Sequence, residues 1–408
     1  MLPPLLELYV VWHPDDDAGR AVARQITEHF QGAAYTGLIA GAVAVYHRCA
    51  PWDEQGAPRP VPFPGDPWIG GVEPARYVAV LPVLQLGMAA AVQSGATPWH
   101  GYLRGLAQRR RADREHIGIY PVAVDPDAVR DTVLGELFGV PQRVDTLGGG
   151  GDERRCLDVA QQLAQLVGGP DADRLTVFVS HSRQVAPGDD EMQAAELTRR
   201  VREAIHDTHL NIFYDATTIE PGEDWQNRIR REAARCAVLA VRGDRYASRR
   251  WCQTEMRLAK CAGVPVVVLD ALRRGEERGS FLLDHVPRVP SAGTPGALDD
   301  GIRRALTVLV DECLRAALWR RQRELAEAHR PDLAVDWWAA HAPEPTTFLD
   351  WLLRRDDPAD RKRPVVVLYP DPPLGPDEAD VLVQLAGAVG IDGGLDLMTP
   401  RQLAARGG

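Results

Sequence analysis

The stretch Leu175-Thr-Val-Phe-Val-Ser-His-Ser182 decides the fold in the middle of this chain. A short apolar, β-branched run that ends in polar residues is typical of a strand buried on both faces of a sheet. Further apolar runs follow at 210–214, 237–241 and 264–269, and the segments between them carry apolar residues at helical spacing. Strands that alternate with helices predict a parallel sheet with right-handed crossovers. We therefore predict a doubly wound α/β domain over residues 172–318.

Polar residues follow the predicted strands at one edge of this sheet. Ligands of such folds bind beyond the carboxyl ends of the strands. Residues 180–183, Asp215 and residues 242–246 come directly after three of the strands. We expect them to gather at one edge, where the helix after Ser248 also begins.

Glu255 is the most informative residue of that helix, in the segment Ser248-Arg-Arg-Trp-Cys-Gln-Thr-Glu-Met256. If Ser248 caps the helix, Trp251, Glu255 and Leu258 share one stripe. No basic residue lies three or four positions from Glu255 to form an exposed ion pair. A partly desolvated acid beside a tryptophan is a functional candidate. The alternative is a carboxylate at the edge of the stripe that reaches solvent.

Composition narrows the class of protein. The 408 residues are 45% hydrophobic and 25% charged, which is typical of globular protein with two or three domains. The net charge of -10 argues against direct nucleic-acid binding. Six cysteines without a CxxC pair predict neither a metal site nor a disulfide framework, and they favour a reducing cytoplasm. The chain has no apolar run of ~20 residues and no signal sequence, so we expect no membrane contact.

Glycine-rich and polar segments of the sequence predict the domain bounds. The glycine run 148–151 lacks a phosphate-loop lysine, and we interpret it as part of a connection. The predicted segments are an N-terminal α/β domain over 1–145, a linker and connecting helix over 146–171, the central domain over 172–318, a helical connector over 319–363 and a small α/β segment over 364–408. The last segment is too small to fold alone, so we expect it to dock on another domain or on a partner.

Three pieces of the central domain, in this order, resemble a TIR (Toll/interleukin-1 receptor) domain. They are Val177-Phe-Val-Ser-His-Ser182, then Phe213-Tyr-Asp215 with the loop Glu220-Pro-Gly-Glu-Asp-Trp225, and then Tyr246-Ala-Ser-Arg-Arg-Trp-Cys-Gln-Thr-Glu255. The resemblance implies a flavodoxin-like doubly wound parallel sheet. Enzymatic members of the family are NAD glycohydrolases whose essential glutamate follows a tryptophan by four residues. Trp251 and Glu255 have this relation, so the resemblance implies that Glu255 is catalytic and that NAD is a substrate and not a cofactor. The sequence has no HExxH helix, so we expect no metal site.

The resemblance also implies substrate contacts in the first loop, at Ser180, His181 and Arg183. Arg183 is the candidate partner of the phosphates, with an ordinary solvated loop arginine as the alternative. His181 has a general-base chemistry that the resemblance does not call for.

Three further residues are candidate substrate contacts. Trp251 would form an apolar wall beside the substrate and Trp225 would lie near the adenine, although core packing is an alternative for both. Asp215, at a strand end, would orient a ribose, or would only form an Asx turn.

The N-terminal domain resembles a degenerate copy of the same fold. Leu8–Trp12 and Ile117–Val124 are predicted strands, and aligning Trp99 with Trp251 puts Leu103 where Glu255 would be. Such a copy would be catalytically silent and suited to sensing, regulation or assembly.

The sequence therefore predicts a cytoplasmic TIR effector that cleaves NAD to nicotinamide and ADP-ribose or a cyclic derivative. The resemblance implies a role in antiphage defence, activation by TIR–TIR self-association and an activating sensor protein or ligand. A non-enzymatic TIR scaffold and an ADP-ribosyl transferase remain the alternatives.

Overall fold

The computed structural model describes residues 5–32, 35, 43–52, 56–67, 73–139, 144–145, 151–169, 175–182, 191–213, 236–276, 278–291, 295–329, 334–354 and 363–406. The chain forms two compact units, Met1–Ala172 with Arg320–Leu325 and Asp173–Trp319 with Ala326–Gly408. In the described part of the chain, no helix combines the length and the apolar character that a membrane span requires.

The first unit is a parallel sheet with helices. Its strands are β1 (Leu6–Val11), β2 (Ala44–Arg48), β3 (Tyr77–Leu84), β4 (Ile117–Ile119), β5 (Val122–Ala123) and β6 (Val144–Asp145). Its helices are α1 (Asp17–Phe30), α2 (Leu86–Gln93), α3 (Pro98–Ala112), α4 (Val133–Phe138) and α5 (Gly151–Gly168). The strand order is β2-β1-β3-β5-β6, and β4 also pairs with β3.

Burial along the strands of the first unit follows their apolar sequences. Every residue of β1 and β3 is buried, as expected for central strands of a parallel sheet. The strand predicted over Ile117–Val124 is two strands, β4 and β5, separated at Tyr120 and Pro121. A proline has no backbone N–H to continue the ladder, which explains the interruption.

The second unit contains the predicted central sheet. Its strands are β7 (Thr176–His181), β8 (Asn211–Phe213), β9 (Cys236–Arg242), β10 (Val266–Asp270) and β11 (Arg288–Pro290), and its helices include α6 (Glu191–His206), α7 (Arg250–Cys261) and α8 (Pro295–His329). All neighbouring strands are parallel, in the order β11-β10-β9-β7-β8. Counted from β7, this is the order 2-1-3-4-5 of flavodoxin-like folds. The predicted α/β fold is confirmed, and the first unit has the same order.

A small third sheet lies in the second unit. Its parallel strands are β12 (Trp337–Trp338), β13 (Val365–Leu368) and β14 (Leu395–Met398), and the helices beside it are α9 (Pro345–Leu353), α10 (Pro376–Ala388) and α11 (Pro400–Arg406). The region 319–363 therefore differs from the purely helical connector that the sequence predicts. Trp337 pairs with Val367 of β13 and stacks on Trp351 at 5.2 Å, and both tryptophans pack against the core of the small sheet. The bounds predicted for the five segments stay predictions.

Candidate active site

The end of strand β7 supplies the first residues of the candidate site. Ser180 and His181 are its last two residues, and Ser180 lies opposite Ala240 of the neighbouring strand β9. Ser180 is completely buried, whereas His181 is only partly buried. The side chain of Ser180 is therefore inside the domain and not on a loop that faces solvent, as the predicted substrate contact would require.

Helix α7 carries Glu255 but begins differently from the prediction. Its first residue is Arg250, and the preceding Arg249 has no side-chain hydrogen bond to the helix. Arg249 occupies the N-cap position, so Ser248 lies one residue before it and the predicted Ser248 cap is wrong. The hydroxyl of Ser248 instead donates to the carbonyl of Arg245 at 2.9 Å.

The buried face of α7 contains Glu255. Glu255 is only 4% exposed, and the other buried residues of the helix are Cys252, Met256, Leu258, Ala259 and Lys260. The alternative in which this carboxylate reaches solvent is therefore wrong. Trp251 is 43% exposed and lies off this face, so core packing does not describe it.

Three side chains form a hydrogen-bonded chain that ends at Glu255. The Oγ of Ser180 donates to Oε2 of Glu255 at 2.5 Å, and the hydroxyl of Tyr246 lies 2.6 Å from the same Oγ. A carboxylate has no proton to donate, so the only hydroxyl proton of Ser180 goes to Glu255. The Tyr246 hydroxyl must then donate to Ser180. Sequence reasoning placed Tyr246 at this edge but missed its contact with the site.

Two titratable neighbours of Glu255, Tyr246 and Cys252, stay neutral. Burial raises the pKa of Tyr246 well above its ordinary value, and the charges of Cys252 and Glu255 act in the same direction. Burial, followed by the charge of Glu255, raises the pKa of Cys252 to about 12. At physiological pH the phenol and the thiol are therefore protonated, and Cys252 is not a thiolate nucleophile.

Arg242 forms two ion pairs at the sheet edge that also carries this site. Arg242, the last residue of β9, contacts Asp270 at 3.0 Å and Glu276 at 2.6 Å. The second oxygen of Glu276 accepts the backbone N–H of Ala247 at 3.3 Å. These contacts of Glu276 connect the loop after β10 to the loop that contains Tyr246. Sequence reasoning placed Arg242 at this edge but missed Glu276 and the two ion pairs of Arg242, although a basic residue at a strand end with two later acids was the available signal.

The remaining predicted contacts are not covered by this geometry. Asp215, Arg183 and Trp225 lie outside the described residues, and their roles stay predictions. Within the described residues, no group of three or more histidine, cysteine, aspartate or glutamate side chains is placed to hold a metal ion.

The first unit has an apolar residue at the position aligned with Glu255. Leu103 of α3 is completely buried in the hydrophobic core, and Trp99 is also buried and contacts the ring of His13 at 5.2 Å. Asp16, which follows strand β1, accepts the backbone N–H groups of Gly87 and Met88 at 2.9 and 3.0 Å. Asp16 thus caps helix α2 in the way that an external anion caps a helix N-terminus.

The sheet order and the buried carboxylate define the second unit as a flavodoxin-like α/β domain with a candidate site at the end of its first strand. Residues 177–282 match the family model of the TIR domain. The chain therefore contains a TIR domain, and the match includes Ser180, Tyr246 and Glu255. A comparison with curated proteins found no match.

Proposed function

We propose that the second unit is an NAD glycohydrolase in which Glu255 is the catalytic residue. The observation that carries the proposal is a carboxylate only 4% exposed, on a helix at the carboxyl edge of a TIR sheet, one turn after an exposed tryptophan. The hydroxyl of Ser180 donates to this carboxylate at 2.5 Å and so fixes it at the end of strand β7.

The chemistry of the reaction suits a single carboxylate. Cleavage of the bond between nicotinamide and ribose expels a neutral leaving group and leaves positive charge on the sugar. A fixed negative charge of low solvation stabilises that charge as it develops. Nicotinamide leaves without protonation, so the general acid that most glycosidases add is not needed. Glu255 would supply the charge and also accept a ribose hydroxyl.

The exposed Trp251 would give the substrate its apolar wall. The exposed face of an aromatic ring can pack against a sugar or a base. In this proposal NAD is the substrate, and nicotinamide and ADP-ribose or a cyclic ADP-ribose are the products. Self-association of the TIR domain would activate the enzyme in antiphage defence in the cytoplasm, in response to a sensor protein or ligand.

Nicotinamide release tests the proposal. Purified protein, concentrated or mixed with a crowding agent to promote assembly, is incubated with NAD and followed by chromatography. We expect release by the wild type and at least ~100-fold slower release by Glu255→Gln, a loss in the range seen when one electrostatic contact to a transition state is removed.

A matched control is Glu203→Gln, at an exposed position of α6. It removes the same charge away from the site and should leave the rate unchanged. Equal rates for Glu255→Gln and the wild type would overturn the proposal. Assembled wild-type protein that releases no nicotinamide would favour the scaffold, and products that form only with an added acceptor would favour the transferase.

A further inference from the structure

We propose that Tyr246 is a positioning residue, which acts through the hydroxyl of Ser180 to fix the orientation of the Glu255 carboxylate. This inference rests on the proposed function for its kinetic test only. Its physical basis is the chain of two short hydrogen bonds that joins these three side chains.

The direction of the chain follows from the number of protons available. Ser180 has one hydroxyl proton, and the unprotonated carboxylate takes it. Tyr246 therefore donates its own proton to Ser180, and each bond polarises the next. If the Tyr246 hydroxyl were absent, the Ser180 hydroxyl would keep one acceptor but would lose the donor that fixes its rotation.

The three hydrogen-bonded side chains are shielded from water. Ser180, Tyr246 and Glu255 are each less than 5% exposed, so water competes little for their polar atoms. In this environment a hydroxyl that donates to a carboxylate stabilises the charged form and one rotamer of the side chain. The hydroxyl of Ser180 thus helps to hold the carboxylate of Glu255 in place.

Three different elements contribute to the chain. Ser180 ends strand β7, Tyr246 lies in the loop after β9, and Glu255 lies on helix α7. The loop of Tyr246 is fixed independently, because the N–H of Ala247 donates to Glu276. A displacement of that loop would therefore reach Glu255 through hydrogen bonds and not only through packing.

The consequence for the reaction is a carboxylate that is ready before substrate arrives. A side chain that must first find its rotamer binds substrate normally but reaches the transition state less often. We expect Tyr246→Phe to lower kcat roughly five- to tenfold with little change in KM, the size of one neutral hydrogen bond. Ser180→Ala removes the bond to the charge itself and should cost more, on the order of 10- to 100-fold.

The second readout is the titration of Glu255, followed by carbon NMR of protein labelled at the glutamate carboxyl carbons. The resonance missing from Glu255→Gln assigns the signal. Because hydrogen bonds to a carboxylate favour its charged form, both Tyr246→Phe and Ser180→Ala should raise the pKa of Glu255. The acid limb of the pH–rate profile should move to higher pH by the same amount. Tyr246 and Cys252 are two titratable groups coupled to this charge.

Tyr9→Phe is the matched control. The hydroxyl of Tyr9 also is buried and donates to a glutamate, Glu7 of the first unit, at 2.7 Å. This variant should change neither kcat nor the titration of Glu255.

The two proposals fail separately. Tyr246→Phe protein that folds, yet keeps the wild-type kcat and the wild-type titration of Glu255, would overturn the positioning role while Glu255→Gln stays inactive. Full turnover by Glu255→Gln would overturn the proposed function, whereas a raised pKa of Glu255 in Tyr246→Phe would still support the chain.

Discussion

The hydroxyl of Ser180 donates a 2.5 Å hydrogen bond to Glu255 although 75 positions separate the two residues. The bond joins the end of the first strand of the TIR sheet to the middle of the helix that follows its third strand. The carboxylate therefore depends on the packing of the sheet against α7, and its environment is a property of the folded domain and not of any local motif.

Substitution of Trp251 tests whether its ring contacts the substrate or packs in the core. Because its side chain is 43% exposed, we expect Trp251→Ala to change the free energy of unfolding by less than about 1 kcal/mol. If the ring packs on NAD, the same variant should raise KM and lower kcat/KM, and Trp251→Phe should recover part of the loss. Thermal unfolding and steady-state kinetics separate the effects. A large fall in Tm with unchanged kcat/KM would contradict the wall.

The buried pair Lys260–Glu344 joins the C-terminal end of α7 to the N-terminus of α9. Their charged groups lie 3.3 Å apart, both side chains are buried, and Lys260 also donates to the carbonyl of Asp284. Removal of one partner leaves a buried charge, so we expect Lys260→Met to cost ~3–5 kcal/mol of stability of the second unit.

The double variant Lys260→Met with Glu344→Leu is the control for that pair. It buries two apolar side chains and leaves no lone charge, so most of the stability should return. Chemical denaturation measures both proteins. Equal losses in the single and double variants would show that packing, and not the unpaired charge, explains the effect.

Much of this architecture was accessible from sequence, and the exceptions have physical reasons. Continuous apolar runs predicted strands β7 and β9, because parallel strands bury both faces, and helical spacing placed Glu255 on a buried face. The phase of that face was wrong at Trp251, since burial centres on Cys252 and Met256. Strand β12 has only two residues and shows no period. The Tyr246 contact arises from tertiary structure, which periodicity cannot encode.

His341 should make stability depend on pH. Burial lowers the pKa of its ring, with Arg315 and Lys260 acting in the same direction and Glu312 opposing them. Below about pH 6.5 the unfolded chain binds a proton that the folded protein still excludes. The free energy of unfolding should therefore fall as pH falls below that value, by up to about 1.4 kcal/mol per pH unit.

Urea denaturation between pH 7.5 and pH 5 measures the slope due to His341. His341→Gln should reduce it, whereas His206→Gln, at an exposed position at the end of α6, should leave it unchanged. The same slope in wild type and His341→Gln would exclude His341 as its source.

Leu103 tests whether the first unit is a silent copy or an enzyme lacking one residue. The side chain is completely buried in the hydrophobic core that also contains Trp99. Leu103→Glu would bury a carboxylate among apolar side chains, so we expect the first unit to lose at least ~3 kcal/mol of stability and to gain no NAD cleavage. Leu103→Met keeps the volume and should cost less than about 1.5 kcal/mol.

The decisive measurement is nicotinamide release by a Leu103→Glu, Glu255→Gln double variant, together with its thermal unfolding. Turnover restored in that protein would mean that the first unit has a latent active site, whereas loss of folding without turnover means that its sheet edge is committed to packing.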